Sequence, residues 1–118
     1  MKKARVLTSG GGEFLGECRV TESAWERMRG LLPKDGLSEG EALYIAPCTS
    51  IHTFFMNFPI DAAFLDREGR VIALYEDMKP WRMSGIHLRA AGVLEAAAGA
   101  FGRAGLKKGE VLKICHFS

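Results

Sequence analysis

Between Ser50 and Tyr75 the chain runs through two apolar stretches, a proline and a turn, and that order admits few arrangements. Ile51 to Met56 alternates, with Ile51, Thr53 and Phe55 on one side and His52, Phe54 and Met56 on the other. Both sides carry large apolar groups, so the spacing predicts a strand covered on both faces. Pro59 has no N–H for a ladder and holds Phe58 extended, so Asn57-Phe58-Pro59 interrupts the run. From Ile60 to Leu65 the pattern resumes, with Ile60, Ala62 and Phe64 sharing one face and Asp61, Ala63 and Leu65 the other. Asp66-Arg67-Glu68-Gly69 reads as a tight hairpin loop, because Asp66 can bond its own turn and Gly69 tolerates a positive φ. Val71 to Tyr75 is the return strand.

Asp61 stands out in this apolar company. A carboxylate withdrawn from water needs a charged partner or several N–H donors. One reading is structural, with loop N–H groups fixing the Asn57–Pro59 bend. The other makes Asp61 a ligand-binding or acid/base group.

With 118 residues the chain has length for one domain, and a domain of this size buries enough surface to need no staples. Its 47% hydrophobic and 25% charged residues are ordinary for a globular protein. A net charge of +2 does not by itself imply nucleic acid or an anionic membrane, and no stretch has the length of a membrane span. The N-terminal Met-Lys-Lys-Ala-Arg lacks the apolar core of a signal peptide. Cys18, Cys48 and Cys115 are an odd number at irregular spacing, which fits reduced thiols in a cytoplasmic protein.

Elsewhere, Ala4 to Thr8 and Phe14 to Val20 read as strands joined by a glycine turn, and the lysine of a phosphate-binding loop does not follow that turn. Ser23-Ala24-Trp25-Glu26 fits a capping box opening a helix to Arg29, with Gly30 as its stop. Arg29 suits the helix C-terminus for dipole reasons, and it is also a candidate anion-binding group. Ala42 to Ala46 and Val111 to Ile114 read as strands. Glu76 to Leu88 has no regular pattern; its Trp81 amid Lys79, Arg82 and Arg89 fits a plug at the core's edge better than a nucleobase platform. Ala90 to Gly105 is alanine-rich, which favours helix, yet Gly92, Gly99 and Gly102 argue against a continuous one.

Four islands of sequence resemble a bacterial and archaeal family of uncharacterised proteins, domain of unknown function number 192, over about Thr21 to Ile114. They are Met28-Arg29-Gly30-Leu31-Leu32; His52 to Asp61 followed by Phe64-Leu65-Asp66 and Gly69; Val93-Leu94-Glu95 with Ala98-Gly99; and Gly105 to Glu110. Another common form of the central box has Trp-Met-Lys-Asn-Thr and a longer gap to the aspartate, where this chain has Asn57-Phe58-Pro59. The resemblance implies an α+β fold, compact and β-rich, with a barrel-like antiparallel or mixed sheet and short helices. It also implies strand at Val93–Glu95 and a helical turn at Ala100–Ala104. The family brings no established activity.

The candidate site residues are therefore Arg29, His52, Phe54, Met56, Asp61, Trp81 and Glu95. The preferred reading is a small binding module, its cleft lined by Phe54, Met56 and Trp81, with Arg29, Asp61 or Glu95 fixing a polar group. An enzyme would use His52 as base, Asp61 to orient it and Cys48 as nucleophile; a metal centre would draw on His52, Asp61 and Glu95, perhaps joined by His87. No ligand spacing such as Cys-x-x-Cys is present, and neither metal nor cofactor is expected. An adaptor would use the Trp81 loop as its anchor, since tryptophan and arginine dominate interface hot spots. The expected partners are a small molecule or a protein, with no membrane and no nucleic acid.

Overall fold

Seven strands form one mixed sheet in the computed structural model, which describes residues 2–8, 13–21, 40–54 and 56–116. They are β1 (Lys2–Leu7), β2 (Glu13–Thr21), β3 (Glu41–Ile45), β4 (Ile60–Leu65), β5 (Val71–Met78), β6 (Gly92–Ala97) and β7 (Lys113–His116). One described helix, α1 (Ala100–Ala104), follows β6. The order across the sheet is β5-β4-β6-β3-β2-β1-β7. Two antiparallel groups, β5-β4-β6-β3 and β2-β1-β7, are joined by the parallel pairing of β2 with β3. The helix expected from Ser23 to Arg29 lies outside the described residues.

The β-rich expectation is met, and Val93–Glu95 and Ala100–Ala104 are strand and helix as the resemblance implies. The barrel expectation needs correction, because the sheet is not closed. Its ends meet only where Arg70 bridges Val111, with Val71 N–H donating to the Glu110 carbonyl and Leu112 N–H to that of Gly69, both at 2.8 Å. Beyond that point the chain turns to pair with β1, so no continuous ladder joins β7 to β5.

β4 is buried along its whole length between β5 and β6, as a run apolar on both faces must be. One face packs Ala63, Leu65, Leu94 and Phe101 against Ala4, Val6 and Leu112. The other packs Ile60, Phe64, Leu43, Ile45 and Val93 against Ile51 and Met56. The turn into β5 is the predicted one: Asp66 Oδ1 accepts the N–H groups of Glu68 and Arg70, each at 2.9 Å. Gly69 there has φ +86°, and a Cβ on it would collide with the Leu112 carbonyl.

Ile51 to Phe54 and Met56 lie in no strand, and Phe55 lies outside the described residues. The segment has one bridge, His52 to Met83, because a turn closes at Thr53, whose carbonyl accepts the Met56 N–H at 3.2 Å. The turn shifts the parity, so Ile51, Thr53 and Met56 all face inward while His52 and Phe54 are half-buried.

Candidate recognition surface

The two acidic residues singled out in the sequence sit on opposite faces of the sheet. Asp61 is fully buried and pairs in register with Ala96, whereas Glu95, also fully buried, pairs with Ala62 and Leu43. Alternation along β4 and β6 therefore separates the carboxylates rather than joining them in one site. Opposite Asp61 the edge strand bulges: Ile60 pairs with Met78 and Ala62 with Tyr75, leaving an extra residue on β5. Asp61 Oδ1 accepts the Asp77 N–H of that bulge at 2.8 Å, and Oδ2 accepts the Phe101 N–H of α1 at 2.9 Å. Asp77 is left-handed, with φ +53°, a conformation that costs a non-glycine residue about 1 kcal/mol or more and that this hydrogen bond helps to hold. Backbone N–H groups satisfy Asp61, but they come from the β5 bulge and from α1 rather than from a loop at the Asn57–Pro59 bend.

From the bulge the chain enters a strap, residues 79–91, that zips onto residues 46–54 to make an irregular ribbon. Thr53 is its centre. The buried Thr53 hydroxyl donates to the Lys79 carbonyl at 2.6 Å and accepts the Arg82 N–H at 2.9 Å, and its carbonyl accepts the Trp81 N–H at 3.0 Å. Further along, Ser84 N–H donates to the Ile51 carbonyl at 2.9 Å and His87 N–H to that of Thr49 at 2.8 Å. The strap is also pinned from the sheet. Tyr75 Oη accepts the Gly85 N–H at 2.8 Å and lies 2.8 Å from His87 Nε2, while the His87 ring packs 4.6 Å from that of Phe64.

His52 and Phe54 pack at a tilt with centroids 4.7 Å apart, and Phe54 stacks on Trp81 at 5.6 Å, giving a row of three rings. His52 Nδ1 accepts the Phe54 N–H at 3.3 Å, so it shares no hydrogen bond with Asp61. Trp81 is left-handed, with φ +64°, and is 56% exposed, so it does not plug the core as the sequence suggested. Met83, Ile86 and Leu88 are 70%, 72% and 84% exposed. These four are the exposed large hydrophobic residues among the described part of the chain, and all lie on the strap. Sequence reasoning reached Trp81 but missed the other three; the available signal was apolar residues interleaved with arginines and lacking the periodicity that would bury them.

The remaining candidates separate. Met56 belongs to the core, and Arg29 lies outside the described residues. Cys48 is buried, its thiol donating to the Ser50 carbonyl at 3.0 Å. Among the described residues no group of three His, Cys, Asp or Glu is placed to hold a metal ion. An open cleft of about 300 Å³ lies away from the ribbon, between the β4–β5 turn and β7, lined by Tyr44, Arg67, Gly69 and Lys113 among others.

The family model of DUF192, described as an uncharacterized ACR, matches residues 5–114. The chain belongs to the DUF192 family. A comparison with curated proteins finds no match. Two solved structures share the DUF192 chain's fold. One, from Sinorhizobium meliloti and described as a candidate transcription regulator, has a TM-score of 0.75 and 22% identity, covering 96% of this chain and 92% of that one. The other, a protein of unknown function from Novosphingobium aromaticivorans, has a TM-score of 0.74 and 19% identity, covering 94% and 83%. At these identities the likeness is one of fold. Within DUF192, this member is an uncharacterised conserved protein.

Proposed function

We propose that the chain is a binding module whose contact surface is the outer edge of the ribbon, with Trp81, Met83, Ile86 and Leu88 as its anchors. One observation carries the reading: four large apolar side chains stand exposed within eight residues of a strap pinned by hydrogen bonds. Scattered exposed hydrophobics are normal, whereas four on one short segment are the mark of an interaction site. A pinned strap keeps its tips exposed and loses little conformational freedom on binding. A small-ligand cleft has less support, since Met56 is in the core and Asp61 and Glu95 lie on opposite faces. Three cysteines outside any disulfide fit a cytoplasmic setting.

The test is the size of the species carrying the chain in gently lysed cells. The wild type should migrate with a larger assembly, and a Met83→Ser, Ile86→Ser, Leu88→Ser variant as a free chain with an unchanged melting temperature. Migration of both as the free chain rules the reading out.

A further inference from the structure

We infer that the surface met by the strap is an anionic lipid leaflet, an inference that rests on the contact-surface reading above. The first argument is charge. Residues 46–54 and 79–91, the two sides of the ribbon, contain no Asp or Glu, yet the strap carries Lys79, Arg82 and Arg89. Those three cations exceed the net +2 of the whole chain, so the ribbon carries the net positive excess while the remainder, with 13 Lys and Arg against 14 Asp and Glu, is nearly balanced. Lys79 is tied to Asp77 at 2.7 Å, whereas Arg82 and Arg89 are exposed within the strap itself. A receptor for this edge must be apolar below and negative at its rim.

The second argument is shape. Met83, Ile86 and Leu88 are each at least 70% exposed, so their tips stand clear of the strap. Tips require a soft receptor or a concave one. The bilayer interface is soft, takes tryptophan at the headgroup level, and lets aliphatic tips enter while neighbouring arginines stay among the phosphates. The two-sided anchoring of the strap, through Thr53 below and Tyr75 behind, supplies the rigid base that shallow insertion needs. Such contact leaves the chain peripheral; among the described residues no helix is long and apolar enough to cross a membrane.

The test is co-sedimentation of the unmodified chain with phosphatidylcholine vesicles, alone and mixed with phosphatidylglycerol. The chain should sediment with the mixed vesicles and at least roughly tenfold less well with phosphatidylcholine, the difference shrinking as salt rises. Arg82→Gln and Arg89→Gln should each weaken binding roughly fivefold, as expected for one cation near an anionic leaflet. Ile86→Ser with Leu88→Ser should weaken it by at least roughly tenfold, since two aliphatic tips leave the bilayer. Failure to sediment with either vesicle, equal binding to both, or binding untouched by the serine pair overturns the lipid assignment. If vesicles fail while the triple serine variant still releases the chain from its larger assembly, the contact surface stands and its partner is a protein. If light scattering instead finds a dimer that the serines dissolve, the partner is a second copy and the lipid assignment falls.

Discussion

Asp61 shows what a single residue's position does and does not reveal. Its oddity is plain in the sequence, an acid in an apolar strand just after a proline. Its partners are not, because they are backbone N–H groups 16 and 40 residues further on. Removing the carboxylate strands two donors, one of them in the core, so Asp61→Ala should cost roughly 2–4 kcal/mol in urea unfolding, and a change under about 0.5 kcal/mol would contradict the structural role. The same dependence on distant residues hides the separation of Asp61 from Glu95, which follows from the register of β4 against β6. Gly92 is a further case: a Cβ there would lie 2.5 Å from Tyr44 Oη and 2.7 Å from the Ile45 carbonyl, a contact with no trace in the local sequence.

At the level of elements, legibility tracks how local the determinants are. The β4–β5 hairpin is set by Asp66 and Gly69 within its own turn, and it forms as predicted. Because Gly69 combines a left-handed φ with a close approach to Leu112, Gly69→Ala should lower stability by roughly 1–3 kcal/mol, readable as a fall in the urea midpoint. Ile51 to Met56 alternates like a strand, yet its described residues lie in none, since Thr53 spends its hydroxyl and its carbonyl on the strap. Alternation places Ile51 and Thr53 inward but does not show which backbone groups find a ladder, and the turn at Thr53 then reverses the parity at Met56. The strap itself is anchored by Tyr75, so Tyr75→Phe should raise amide exchange at Gly85 and His87 at least severalfold while the β4–β5 ladder exchanges as before. Unchanged exchange at Gly85 would mean that the hydroxyl does not hold the strap.

On the scale of the whole molecule, two apolar layers cover the two faces of one open sheet, and the exposed large hydrophobic residues among the described part of the chain all lie on the strap. Burial pushes the Cys18 thiol up to about 12 from 9.0, and raises Tyr44 above its ordinary 10.0 with smaller contributions from Cys18 and Cys48. Both groups stay neutral in the folded state and ionise sooner once unfolded. Their contribution to stability is therefore complete below about pH 9 and is lost as pH rises towards 12, so melting temperature should fall across that window and Cys18 should resist alkylation at pH 8 until the chain unfolds. Composition alone shows neither the two layers nor the uneven charge, because a net +2 averages a basic ribbon with a nearly balanced remainder. The most direct measurement is in-cell photo-crosslinking with a photoreactive residue at position 83 on the strap and, in a second variant, at the exposed position 107 beyond α1. Adducts at Met83 with few or none at Lys107 are the expected result; no adduct at Met83, or equal yields at the two positions, would contradict a recognition surface on the strap.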